Sequence, residues 1–183
     1  MKYFAYGSNL LLARLQERTP SATRLGRGRL STHRLRWHKR GVMDGSGKCD
    51  AFQTGDAAAL VWGALFEIGN TERVGLDDAE GLGRGYRATE VSLETAAGPQ
   101  TAFTYVATPD AIDGSLTPFD WYRDLVVAGA YESGLPAEYI DTLTSVTASE
   151  DRDHLRSTHH RRLLGVGPRT SPADPRGWSE PRG

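Results

Sequence analysis

Two short stretches of this chain hold residue types that could act on a small molecule. The first is Tyr3-Phe4-Ala5-Tyr6-Gly7-Ser8-Asn9-Leu10. Residues 3–6 have strand character and run into Gly7-Ser8-Asn9, and a helical pattern over 10–15 follows at once. A strand that turns into a helix so quickly leaves the first N–H groups of the helix unpaired above the turn. Gly7 admits close approach to the backbone. Ser8 and Asn9 are good N-cap types whose side chains also reach a ligand. Such a turn suits a carboxylate or a developing oxyanion. The same residues equally describe a strand, a turn and a capped helix with no ligand. The second stretch is Leu76-Asp77-Asp78-Ala79-Glu80-Gly81. Its acids crowd a helix end, where the dipole and mutual repulsion both disfavour negative charge. Burial there would raise a carboxyl's pKa, as general acid–base work near neutrality requires. The plainer reading is a solvated acidic helix end.

These residues need a scaffold, and apolar periodicity outlines one. A strand is expected at about 2–6 and a helix at about 9–18, closed near Pro20. Within the basic run over 24–40, the partly alternating stretch 29–37 reads as one strand with a solvated face, and 41–50 as a flexible loop. An apolar strand is expected over 58–68, then a short helix over 70–80 capped by Asn70 or Thr71. Alternation around 86–94 and 100–107, with Ala97-Gly98-Pro99 between, reads as a hairpin. Pro118 opens a helix to about 131, in which Tyr122, Leu125, Val126 and Ala130 keep a helical period. Gly134-Leu135-Pro136 breaks it, and a last helix covers about 137–146. Past about 166 the apolar content is too low for packing, and the tail is expected to be disordered. Strands first and helices later, without regular βα alternation, indicate an α+β fold on a small curled sheet, mixed or antiparallel. Residues 1–150 read as the folded domain and 151–183 as a basic, Pro/Gly-rich tail.

The 183 residues suffice for one domain with a proper core. A formal net charge of −1 gives no bulk attraction to nucleic acid or to membranes. No apolar run approaches the ~20 residues that span a bilayer, and the first residues lack the apolar segment of a secretory signal. The single cysteine, Cys49, excludes an internal disulfide. A cytoplasmic protein is the resulting expectation. Cys49 has no His near it in sequence and is set aside as a nucleophile. His154, His159 and His160 fit no common metal spacing and sit among arginines that repel a cation, so a solvated basic segment is expected there. The basic run carries seven Lys or Arg plus His33 and His38, with no nucleic-acid-reading motif beside it. One face of a strand accounts for that run, which could also draw in acidic substrates. No pattern sets the oligomeric state, and a homodimer stays open.

Read together, the Tyr-Phe-Ala-Tyr-Gly-Ser-Asn-Leu stretch and Asp77-Asp78-Ala79-Glu80-Gly81 with the following Tyr86 resemble the γ-glutamylcyclotransferase family. Val61-Trp62-Gly63-Ala64-Leu65-Phe66 is similar to that family's strand before the acidic helix. Trp121-Tyr122-Arg123 through Glu132-Ser133-Gly134-Leu135-Pro136 is similar to its late helix and turn. The resemblance spans roughly residues 2–147. It implies a small curled sheet or barrel with flanking helices and a pocket at the turn after the first strand. It implies that Tyr3, Phe4, Ala5, Tyr6, Gly7 and Ser8 line the substrate site, that Glu80 accepts the proton and that Tyr122 touches substrate. Asn9 is an N-cap, a substrate contact or both. The implied reaction turns a γ-glutamyl amino acid or γ-glutamyl amine into 5-oxoproline and the free amine, with no cofactor and no metal. A non-catalytic small-molecule binder on the same fold, or a remover of γ-glutamyl caps from a biosynthetic intermediate, stands as the alternative.

Overall fold

Short alternating apolar runs become strands in the computed structural model, which describes residues 1–165. They are β1 (Lys2–Ala5), β2 (Thr23–Ser31), β3 (His33–Arg40), β4 (Gly47–Gln53), β5 (Leu60–Glu67), β6 (Tyr86–Thr95) and β7 (Gly98–Ala107). Five of them close a barrel in the order β1-β5-β2-β6-β7. The closing pair, β1 with β7, is parallel at Tyr3 and Phe103, and the other barrel pairs are antiparallel. The sheet is therefore mixed, and the expected α+β barrel is the fold. β3 and β4 form a separate two-stranded ribbon. The helices are α1 (Leu12–Gln16), α2 (Arg73–Glu80), α3 (Asp120–Glu132), α4 (Ala137–Thr144) and α5 (His154–Arg161). One core joins the two layers: Phe4, Val61, Phe66 and Leu93 of the barrel, and Leu125, Val126 and Ala130 of α3, are fully buried. None of the described helices is long and apolar enough to cross a membrane.

Several elements differ from the sequence reading. The helix expected over 9–18 is a 3-10 turn, Ser8–Leu10, followed by α1, with Leu11 extended between them at φ −74° and ψ 115°. The break lies where α3 crosses. A Cβ on Gly129 would stand 2.3 Å from the Leu11 nitrogen, so only glycine lets α3 press against this backbone. The basic stretch is two strands rather than one, split at Thr32, whose φ is 64°. The Thr32 carbonyl accepts from the Thr54 and Gly55 amides, which pins the bend. The last four residues of the expected loop at 41–50 begin strand β4, paired antiparallel with β3. The small residues Gly47 and Cys49 that read as loop are buried in that strand. Neither Asn70 nor Thr71 caps a helix; they lie in a 3-10 turn that leads into α2. The hairpin turn is tighter than expected, with Thr95 already paired to Gly98.

The segment read as solvated and basic folds into α5. Asp153 caps it by accepting from the Arg156 amide at 3.0 Å. Buried Asp151 accepts from the Trp121 indole at 2.8 Å and from Arg156 at 2.6–2.7 Å, tying the helix to α3. α5 therefore packs on the domain from beyond residue 150. The tail expected to be disordered from 166 lies outside the described residues.

Candidate active site

β1 ends at Ala5, and the chain passes through Tyr6 and Gly7 into the 3-10 turn. The first bond of that turn runs from the Leu10 amide to the Gly7 carbonyl at 2.9 Å, so the amides of Ser8 and Asn9 have no acceptor within it. Gly7, Ser8 and Asn9 border a recess of about 30 Å³ whose other walls are Tyr3, Tyr6, Tyr105, Tyr86, Tyr122, Cys49 and Glu80. That volume takes one small polar group, such as a carbonyl oxygen. Gly7 keeps this wall close: a Cβ would lie 3.1 Å from Cys49 Cβ and 3.3 Å from the Tyr122 hydroxyl, tighter than ordinary contact.

Glu80 is the last residue of α2, and Gly81 ends the helix in the left-handed region at φ 69°. Its Oε1 accepts from Asn9 Nδ2 and from Arg18 NH1, both at 2.9 Å. No partner occupies Oε2 among the described residues. The acids nearby have separate duties. Asp77 accepts from Arg73 at 2.7 Å and from the Tyr105 hydroxyl at 2.5 Å, while exposed Asp78 pairs with Arg84 at 3.0 Å. The expected crowd of acids is thus divided among separate cations. Asn9 is not an N-cap. Its amide spans Tyr3 Oη at 3.0 Å and Glu80, holding the carboxylate against the turn.

Burial pushes the phenols of Tyr3, Tyr6, Tyr86 and Tyr122 well above their ordinary range, so they act as neutral hydroxyls. Two of those protons are already spoken for. Tyr6 donates to the Tyr105 carbonyl and Tyr86 to the Cys49 carbonyl. Tyr122 Oη accepts from the Cys49 amide at 3.1 Å. Ser8 Oγ accepts from Arg14 Nε at 3.0 Å, which leaves the serine proton as a donor. Burial also raises the Cys49 thiol far above the thiolate range, so this recess residue is a packing group and not a nucleophile.

The recess opens outward into a vestibule of about 490 Å³, with Ser8, Glu80, Tyr86 and Tyr122 common to both. α5 supplies part of its wall. His160 stacks on Trp121 with ring centroids 4.0 Å apart, and its Nδ1 lies 3.1 Å from Arg14 NH1. Burial, then Arg14, lowers the imidazole to about 3, so it accepts that bond as the neutral ring.

Of the residues expected to line the site, Tyr3, Tyr6, Gly7, Ser8, Asn9, Glu80 and Tyr122 come together. Phe4 and Ala5 do not border the recess. Phe4 is fully buried in the core, against Gly63 of β5, because alternate residues of a strand face opposite ways. Tyr86 and Tyr105, which strand periodicity makes ordinary core residues, do line it. Arg14 and Arg18 had no signal of their own in the sequence, and His160, expected in a solvated basic segment, stands instead in the vestibule wall.

Known proteins share this sequence and shape. A sequence model of the AIG2-like family matches residues 60–143, which run from β5 through α2 to α4. The γ-glutamylcyclotransferase of Mus musculus is 33% identical over 81% of this chain and 79% of its own length. The Homo sapiens protein of the same name is 31% identical over the same shares. A solved structure named γ-glutamyl cyclotransferase superposes with a TM-score of 0.77 at 27% identity, over 88% of this chain and 98% of that one. Identity of that extent, carried on a common barrel, places the chain in the γ-glutamylcyclotransferase family.

Proposed function

We propose that this protein cyclises a γ-glutamyl amino acid or γ-glutamyl amine to 5-oxoproline and releases the amine, with Glu80 as the acid–base group. The observation that carries this reading is Glu80 itself. One carboxylate oxygen is anchored by Asn9 and Arg18, and the other has no partner among the described residues, where recess and vestibule meet.

The substrate carries its own nucleophile. Its α-amino group, with a reference pKa of about 8, is mostly protonated at neutral pH. Ring closure strips two protons from that ammonium, and the departing nitrogen takes both up. Both nitrogens are bonded to the γ-carbon in the tetrahedral intermediate, so one carboxylate beside it can carry each proton in turn. Folding the chain so that amine meets carbonyl removes an orientational cost of up to ~7–11 kcal/mol in the best intramolecular cases. The Ser8 and Asn9 amides and the Ser8, Tyr3 and Tyr122 hydroxyls are the donors open to the oxyanion. The Tyr6 hydroxyl is not, since its proton goes to Tyr105. The chemistry is acyl transfer within one molecule and calls for no redox or metal cofactor. A lone reduced Cys49 suits a cytoplasmic setting.

The test is 5-oxoproline release from γ-glutamyl amino acids and γ-glutamyl amines by wild type and Glu80→Gln. The variant is expected to lose at least ~100-fold in kcat, with an unchanged far-UV circular dichroism spectrum. Near-normal turnover in the variant would remove Glu80 from the chemistry. No release by folded wild type would leave a ligand-binding protein on this fold.

A further inference from the structure

The vestibule is unevenly charged. Arg14, Arg18, Lys39, Lys48, Arg84 and Arg156 line it, against Asp44, Asp78 and Glu80. Each of those acids has its own cation. Asp44 pairs with Lys48 at 2.7 Å, Asp78 with Arg84 at 3.0 Å and Glu80 with Arg18 at 2.9 Å. Arg156 is matched by Asp151 outside the vestibule. Arg14 and Lys39 are left without a carboxylate among the described residues. Arg14 is bound by Ser8 and His160.

Lys39 has less. Only 2% of the residue is exposed, and its ammonium has no hydrogen-bond or ion-pair partner among the described residues. It stands 4.3 Å from the centroid of the Tyr86 ring. It also lies directly opposite Lys48 across the β3–β4 ribbon, just past a bulge. Like charges at facing ladder positions destabilise a sheet. Gly85 sits against the lysine stem, where a Cβ would come within 3.0 Å of Lys39 Cε and of Ala111 Cβ. A cation whose stem is buried and which lines the vestibule with no hydrogen-bond or ion-pair partner among the described residues is a binding group for an anion that arrives with the ligand.

We infer that Lys39 binds an acidic side chain on the departing amino acid, so that the preferred substrate is a γ-glutamyl dipeptide with an acidic second residue. The inference rests on the cyclotransferase reading. The recess is too small for more than one end of the ligand, so the departing part lies in the vestibule with Lys39. A γ-glutamyl dipeptide with a neutral second residue carries a single net negative charge at neutral pH, and an acidic second residue adds another. That matches the two cations the protein leaves uncompensated.

γ-Glutamylglutamate and γ-glutamylglutamine have nearly the same shape and differ by one charge, so their kcat/KM ratio isolates the effect. Wild type is expected to favour the acidic dipeptide by about tenfold, the size of one charge-assisted hydrogen bond. The ratio is expected to fall towards unity in Lys39→Met and to be largely kept in Lys39→Arg. Arg29→Gln, on the outside of the barrel, is expected to leave it unchanged. A wild-type ratio at or below unity, with both dipeptides releasing 5-oxoproline, overturns the role of Lys39 and leaves the reaction standing. This arm holds even if Lys39→Met does not fold. A ratio that survives in a folded Lys39→Met also overturns it. Release from neither dipeptide overturns the reaction and this inference together.

Discussion

At the scale of single residues, the site depends on groups that hold each other rather than on isolated catalytic side chains. Tyr122 illustrates this. Its hydroxyl is the acceptor for a buried amide, that of Cys49, and also borders the recess. Tyr122→Phe is therefore expected to cost about 1–3 kcal/mol of stability, the penalty for a buried donor left unpaired. It is also expected to raise KM more than it lowers kcat. Steady-state kinetics on the folded variant checks this, and an unchanged KM would remove Tyr122 from the substrate. Glu80 and the Gly7-Ser8-Asn9 turn were legible because their chemistry is local: a turn needs glycine, and an acid at a helix end needs a reason. Arg18 and Arg14 were not legible. Each is one arginine among many, and what distinguishes them is the group at the far end of a bond that spans the fold. Asn9 shows the limit from the other side. Its residue type suits a cap, but Arg18 donates to its Oδ1, the oxygen a cap would use, while its Nδ2 donates to the Glu80 carboxylate, distant in sequence.

At the scale of elements, the contact between α3 and the 3-10 turn sets the position of everything else in the recess. Gly129→Ala would drive a methyl group to 2.3–2.5 Å from the backbone of Leu10 and Leu11. Overpacking of this kind costs about 1–3 kcal/mol, a fall of several degrees in Tm for a domain of this size. The turn must also move, so 5-oxoproline release is expected to drop with it. A thermal melt beside an activity assay separates the two effects. Wild-type activity in Gly129→Ala would show that the turn tolerates displacement. Strand β5 was readable from its apolar run, and β6 and β7 because their alternation is their own. β4 was not, because Gly47, Cys49 and Ala51 are small and acquire strand character only by pairing with β3 and packing inward. α5 was hidden for a related reason. It has no buried residue, and it is held by an aspartate and a stacked histidine rather than by an apolar stripe.

For the molecule as a whole, that mode of attachment makes stability sensitive to acid. His160 is held neutral in the fold, with its pKa lowered to about 3 by burial and by Arg14, while the unfolded chain takes up a proton near 6.5. Between those values the unfolded state binds more protons, so stability falls as the pH falls. Asp151 adds to the loss at lower pH. Burial would raise its carboxyl, but Arg156, the Asp153 amide and the Trp121 indole outweigh that and hold it below the usual range. That contribution is present above about pH 4 and declines below it. Tm is expected to drop from pH 6.5 to pH 4.5 in wild type and to change less in His160→Phe, which keeps the stack but has no ring to charge. Equal slopes would show that another group is responsible. The buried thiol has a different kind of consequence. Cys49 is 1% exposed and sits on β4 of the ribbon, against Gly7. An alkylating reagent reaches it when β4 parts from the turn at Gly7. As the one cysteine in the chain, it is a built-in clock: its labelling rate counts how often that contact opens.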